Sequence, residues 1–403
     1  MVAGMACETG GIADRGRDGH EDAGPGTPEV VADTRLPTRL RRALWAVWPA
    51  LAGYVAVRVV GLVTVAIWAD ARDARFGRLI GLRADAGWYL GIAEHGYDRA
   101  ETLQSDMAFF PLYPLLVRLT EPLSPLHYRG TAIALAWLAS LAAAWGLFAI
   151  GNHLYGRRTG ILLAVAWGLV PHAIVESMAY TESLFTALAA WSLYAVLTGR
   201  WLTAGTLCLL AGATRPTATS LIPVVMLAAL IALARRHGGW RPAVAILLAP
   251  LGWLGFVGWV GWRTGRVDGW LQIQTEGWRS TFDGGAGTLE SVGTTLDQPV
   301  ELQWYLIVAV LAGSLVLLAL SIVDRQPWPL LAYSAMMLVT TIGASGYFNS
   351  KARFLLPAFA LLLPVARGLA ALSTARLAVI LVGATAFTAY FGGYLLLVWA
   401  YSP

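Results

Sequence analysis

The sequence predicts an all-α fold, a polytopic transmembrane helical bundle of about eleven spans whose large first extracytoplasmic loop contains amphipathic helices. Three observations predict it. Hydrophobic residues make up 57% of the 403 residues and charged residues only 13%, whereas soluble domains sit near one half and one quarter. Mean hydropathy is +0.60. Apolar runs of the length that a hydrocarbon core requires recur along the chain from residue 44 onward.

Residues 1–42 are rich in Gly, Asp, Glu, Pro and Arg without an apolar period, and are expected to form a disordered cytoplasmic tail. The first apolar run begins near Leu44 and is long enough to span, so no cleavable signal peptide is expected. Residues 43–403 then form one transmembrane domain. Spans are expected near 44–69, 129–150, 159–175, 179–198, 201–215, 216–234, 242–262, 302–323, 328–345, 354–371 and 377–400. The pair around Arg215 reads equally well as broken helices.

Arginines orient the array. Arg35, Arg39, Arg41 and Arg42 precede the first span, which predicts a cytoplasmic N-terminus in a multi-pass protein of the cell membrane. Alternation then puts Arg157, Arg158, Arg200, Arg235, Arg236, Arg325, Arg367 and Arg376 on the same side. The long segments 70–128 and 263–301 face outward, as does the short loop 346–353.

The net charge of +5 is scattered between spans, so no basic face for nucleic acid is expected. Lys351 is the only lysine, a composition typical of a GC-rich bacterial coding bias. Cys7 lies in the polar tail and Cys208 in an apolar run, which argues against a disulfide. No internal repeat of the transporter kind is visible. Six histidines are scattered without ligand spacing, so no metal site is expected, and phosphate loops that would mark a nucleotide-driven pump are absent.

In the first outer segment, Arg83–Asp98 reads RADAGWYLGIAEHGYD with helical spacing. Asp85, Trp88, Tyr89, Ile92 and Gly96 share one face, and Arg83, Gly87, Gly91, Glu94 and Asp98 another. This predicts an amphipathic helix along the outer membrane surface. A carboxylate among aromatics is the kind of group that collects at functional sites. Asp is equally a favoured N-cap, so spacing alone leaves Asp85 as either helix cap or site carboxylate. The following run MAFFPLYPLL is too short and proline-rich to span, and reads as an interfacial or re-entrant segment with Phe109, Phe110 and Tyr113 near headgroup level.

Arg58 sits near the middle of the first span, where a charge costs ~3 kcal/mol or more and by default marks function. Glu176 and Glu182 flank Tyr180 at the outer ends of two spans, with Glu176 read as an interfacial flank. Arg215 lies at an outer turn fixed by Pro216, and Tyr347, Asn349, Lys351 and Arg353 form a polar outer loop. Together these put carboxylates and cations at one depth, which suits an anionic lipid headgroup.

Two ordered blocks carry a family resemblance. Asp85, Tyr89, Ile92, Ala93, Gly96 and Tyr97 form the first, and Ala108, Phe109, Phe110, Pro111, Tyr113, Pro114 and Leu115 the second. Pro171 with AYTESLF (179–185) and ATRPTA (213–218) are two further elements. In these the chain resembles the PIG-V-type mannosyltransferases, a branch of the GT-C superfamily that uses polyprenyl-phosphate sugars. The family's Trp before the Asp is Ala84 here, with Trp88 one turn on.

The resemblance implies a GT-C fold, a polyprenyl-phosphate mannose donor and inverting transfer of the hexose to an acceptor hydroxyl on the outer face. The acceptor would be a glycolipid, a polysaccharide or a protein. Asp85 would be the general base. Arg58, Arg215, Lys351 and Arg353 are the candidate phosphate ligands, with Glu182, Trp88, Tyr89, His95, Tyr97, Phe109, Phe110 and Tyr113 as further substrate contacts. The FFPLYP segment would line a groove for the prenyl chain, and with these cations no divalent metal or other cofactor is required. The alternative reading is a multi-span transporter or lipid flippase without catalytic chemistry.

Overall fold

The computed structural model describes residues 38–97 and 104–403, and Ala43–Pro403 forms one compact unit. Residues 1–37 of the expected tail, and Asp98 at the end of the expected amphipathic helix, lie outside the described residues. Every regular element among the described residues is helical, apart from an isolated antiparallel bridge between Phe282 and Ala344.

In chain order, α1 (Thr38–Asp70) leads into three short helices of the segment 70–128, α2 (Phe76–Gly81), α3 (Asp85–His95) and α4 (Leu112–Thr120). The bundle continues with α5 (His127–Tyr155), α6 (Arg157–Trp167), α7 (Glu182–Leu197), α8 (Trp201–Gly212), α9 (Ile222–Ala234), α10 (Arg241–Leu248) and α11 (Leu251–Thr264). The segment 263–301 holds α12 (Gly269–Gln272) and α13 (Ala286–Asp297). The last third comprises α14 (Leu302–Val323), α15 (Trp328–Gly343), α16 (Lys351–Phe354), α17 (Leu363–Ala371) and α18 (Thr374–Leu397).

Among the described residues, six stretches are long and apolar enough to cross a membrane: Leu44–Asp70, His127–Tyr155, Pro216–Ala234, Arg241–Thr264, Leu302–Val323 and Thr374–Leu397. Val63 and Ile67 on α1, Val316 and Val323 on α14, and Val379 and Val382 on α18 are exposed. Apolar surface on that scale needs a cover, and a bilayer supplies it.

The remaining expected spans are shorter than a bilayer is thick, and prolines account for much of it. α6 stops at Trp167, ahead of Pro171. α8 stops at Gly212, and Pro216 holds Arg215 in the extended conformation (φ −153°, ψ 151°) that a residue before proline adopts. Near Pro357 the chain breaks between 348–354 and 359–371, which meet at 69° and count as a seventh crossing when taken together. α7 and α15 are apolar but have only 16 residues each. Irregular backbone at such depth is tolerated only where protein surrounds it. The segment 173–183 meets that condition, since each of its residues is buried.

The three segments expected on one side come together. Trp278 of the segment 263–301 donates its indole N–H to the Ser105 carbonyl of the segment 70–128 at 3.0 Å, and its ring meets Trp88 and Phe109 edge-on. Thr281 pairs with Ser345 through backbone and hydroxyl bonds beside the Phe282–Ala344 bridge.

Glycines set how closely the helices approach. A Cβ on Gly252 of α11 would overlap the Leu209 carbonyl oxygen of α8, whereas one on Gly255 would meet nothing. Gly252→Leu is therefore expected to lower the melting temperature in detergent, by the ~1–3 kcal/mol or more that overpacking costs. Gly255→Leu should leave it unchanged. Equal melting of the two variants would contradict the close α8–α11 packing.

Candidate functional site

Four charged side chains from four separate elements form one buried run. Asp85 opens α3, and its Oδ2 lies 2.9 Å from Arg353 Nη1 of α16. Arg353 Nε lies 3.5 Å from Glu182 Oε1 at the start of α7, and Glu182 Oε2 lies 2.8 Å from Arg215 Nη1 in the break after α8. Charges therefore alternate, and the run is neutral. Only Asp85 is substantially accessible, its side chain 25% exposed, while Glu182 is fully buried.

Local backbone explains each placement. Ala84, not Asp85, is the N-cap residue of α3, and no side-chain cap bond is made there. Asp85 is thus not the helix cap, and its carboxylate lies on Arg353. Both Asp85 and Glu182 sit in the first turn of a helix, where the macrodipole favours an anion. Ala84 itself holds φ +49° and ψ −119°, a region that L-residues enter at a cost of about 1–3 kcal/mol and that clusters at functional sites. Pro216 holds Arg215 in the break after α8, and Arg353 lies in the four-residue α16 just ahead of the break near Pro357.

Around this run, Arg353 lies over the rings of Tyr180 and Phe354, each at 5.1 Å, and its Nη1 donates to Ser402 Oγ at 3.3 Å. Arg215 Nη1 donates to Thr181 Oγ1 at 2.8 Å, and the same hydroxyl is 3.1 Å from Tyr89 Oη. Burial pushes the Tyr89 phenol well above its usual range, so it acts as a neutral hydroxyl. The Glu182 oxygens make ion pairs without hydrogen-bond geometry, and among the described residues Arg215 Nε and Arg353 Nε are buried with no acceptor.

An aromatic platform flanks Asp85. Trp88 stacks on Phe109 at 5.6 Å, Tyr89 meets Phe109 and Tyr113 edge-on, and Trp278 closes the group. The Tyr113 hydroxyl donates to the Ala132 carbonyl, fixing the platform on α5.

Asp85, Glu182, Arg215, Arg353, Trp88, Tyr89, Phe109 and Tyr113 are thus brought together, and the other candidates are engaged elsewhere. Lys351, expected beside a lipid phosphate, instead donates to the carbonyls of Thr341 and Ala344 at 2.7 and 2.6 Å, satisfying acceptors at the end of α15. Arg58 faces Glu176, which is fully buried rather than a flank at the membrane interface. Phe110 packs on Phe256 and Trp270. Tyr97 donates to the Phe109 carbonyl and lies against Phe256 and Trp259. His95 is exposed at the end of α3.

Sequence reasoning passed over Thr181, Ser402 and Trp278. Thr181 lies within the AYTESLF element beside Glu182 and was open to discovery there. Ser402 and Trp278 carry no local signal, because only tertiary contact brings them in.

Solved structures of ArnT from Cupriavidus metallidurans share this fold. The one bound to undecaprenyl phosphate matches with a TM-score of 0.52 and 16% identity, over 82% of this chain and 62% of that one. The apo structure matches with a TM-score of 0.50 and 15% identity over the same shares. The chain thus spans less than two thirds of the length of ArnT, and at this identity the likeness is one of fold. No family model matches the chain, and no curated protein matches it by sequence.

The charge run makes a stability prediction. Glu182→Gln leaves two buried guanidiniums without their shared anion and should destabilise the protein by ~3–5 kcal/mol, the cost of breaking a buried pair from one side. Asp85→Asn removes a partly exposed charge and should cost far less. Thermal unfolding of both variants in one detergent checks the order; a smaller loss for Glu182→Gln would refute the buried run.

Proposed function

We propose that the chain is a membrane glycosyltransferase of the PIG-V type, moving mannose from a polyprenyl-phosphate donor to an acceptor hydroxyl. The observation that carries this reading is the Asp85–Arg353 pair, a partly exposed carboxylate on a buried guanidinium, continuous with Glu182 and Arg215. Support comes also from the fold shared with ArnT, which was solved with undecaprenyl phosphate bound, and from the ordered motif blocks around Asp85 and Pro111.

In this reading Asp85 takes the proton of the acceptor hydroxyl. The hydroxyl oxygen attacks the anomeric carbon, the bond from that carbon to the phosphate oxygen breaks, and configuration inverts. Polyprenyl phosphate leaves with the bonding electrons, and the guanidiniums of Arg353 and Arg215 meet its growing charge. No metal ion or other cofactor takes part. Trp88, Phe109 and Trp278 offer faces on which a sugar ring can lie. An apolar groove of about 300 Å³ lined by Tyr97, Pro111, Gly252, Gly255, Phe256 and Trp259 receives the prenyl chain. The reaction takes place at the extracytoplasmic face of the cell membrane, with the N-terminus cytoplasmic, and the acceptor is a glycolipid, a polysaccharide or a protein.

The test is sugar transfer by purified protein given polyprenyl-phosphate mannose and a panel of these acceptors. Asp85→Asn should lose ~10²–10⁴-fold in kcat, the range typical of a general base, with folding retained. Transfer by Asp85→Asn at the wild-type rate would remove the base assignment. Absence of transfer with every acceptor, alongside lipid translocation in liposomes, would replace the enzyme with a flippase.

The groove makes a separate prediction. Gly255→Leu fills it without disturbing the fold, and should raise the donor KM with little change in kcat. An unchanged KM would move the prenyl chain elsewhere.

A further inference from the structure

A second buried ion pair, outside the catalytic run, has no part in the chemistry just described. Arg58 projects from the middle of α1, whose adjacent Val59, Val60 and Val63 are exposed. Its own side chain is only 1% exposed. Its Nε lies 3.9 Å from Glu176 Oε2, and its Nε and Nη2 donate to Ser177 Oγ at 3.2 and 3.0 Å. Tyr54, one turn earlier, donates to the same Glu176 oxygen at 2.8 Å.

These contacts hold one irregular stretch of chain, residues 168–181 between α6 and α7. It is bound from other directions too. Tyr54 stacks on Trp167 at 5.5 Å, and Trp167 donates to the Leu356 carbonyl beside the Pro357 break. His172 is 3.0 Å from the Gln303 amide of α14, and Ala179 N–H donates to the Ile80 carbonyl of α2. This strap ends on Tyr180 and Thr181 and runs straight into Glu182. Ser183 Oγ donates back to the Glu176 carbonyl at 3.1 Å, locking the first turn of α7 onto the residue that Arg58 holds.

A charge pair at this depth is costly, and packed apolar side chains hold a core as well or better. What a pair adds is direction, because a guanidinium with a carboxylate and a hydroxyl as partners has few acceptable positions. Glu176 is the point at which that direction passes to the strap.

We propose that Arg58 and Glu176 are positioning residues for donor binding. They set the depth of the strap, and through it the place of Thr181 and Glu182 between Arg215 and Arg353. This rests on the reading of those arginines as ligands of the donor phosphate. Arg58 then acts on the phosphate through the strap and does not touch it.

The test uses the double variant Arg58→Met/Glu176→Gln, which removes both charges together and leaves Tyr54 an acceptor. Expected are wild-type melting, a donor KM raised tenfold or more, and a kcat at saturating donor within threefold of wild type. A well-folded double variant with the wild-type KM would overturn the proposal, as would equal loss in kcat and kcat/KM. Should the double variant fail to fold, Arg58→Lys keeps the charge but not the paired donation to Ser177. It should raise the donor KM two- to fivefold at unchanged melting, and an unchanged KM again overturns the proposal.

Absence of transfer by the wild type itself would count against the proposed function and not against the strap. Hydrogen exchange then decides: amides of 172–182 should exchange at least tenfold faster in the double variant, or in Arg58→Lys, with those of α15 unchanged. Equal exchange would remove the strap's dependence on Arg58 and Glu176.

Discussion

The structure depends above all on keeping four charges close together where water is scarce. Asp85, Arg353, Glu182 and Arg215 alternate in sign, so each charge lies against an opposite one and the run carries no net charge. Removing any inner member exposes its neighbours to the full cost of an unpaired buried ion. No single helix can present such a run, because helix faces repeat at fixed spacing and these groups converge from separated parts of the chain. Chain breaks bring them in. Pro171 lies in the strap that leads to Glu182, Pro216 fixes the bend carrying Arg215, and the 69° break near Pro357 follows Arg353. The short helices are in this sense the counterpart of the site.

The segments 70–128 and 263–301 complete the arrangement. α3 brings Asp85 to Arg353, and the stacked rings of Trp88 and Phe109 are buttressed edge-on by Tyr89 and by Trp278. Lys351 contributes to the framework, since its ammonium binds the last carbonyls of α15 just before the chain turns toward Arg353. A lysine used this way steadies the neighbouring arginine.

Much of this was legible in the sequence, and the limits have physical reasons. The long helices α1, α5, α14 and α18 follow from hydropathy, because length and composition alone make a span. Broken helices defeat that criterion: an apolar run tells of burial but not of where the backbone leaves the helix, so residues 159–175 read as a span although α6 ends at Trp167. Asp85, Glu182 and Arg215 drew attention because a charge within an apolar or aromatic stretch stands out locally, and the structure brings the three together. The cost of Arg58 was visible, but its partner Glu176 lies 118 residues away in sequence. The contacts of Lys351 were not legible, because backbone carbonyls leave no trace in the sequence as partners for an ammonium.

The bridge between Phe282 and Ala344 has a mechanical consequence. It joins the segment 263–301 to the short length of chain that runs from α15 through Lys351 to Arg353, and the Thr281–Ser345 bonds reinforce the joint. Trp278, one short step before Phe282 in the chain, rests on the aromatic platform. The platform and the joint are therefore held by one short stretch of chain. Displacing Trp278 from the platform would load the same joint that fixes the path to Arg353. The aromatic platform and the grip on Asp85 share one length of backbone.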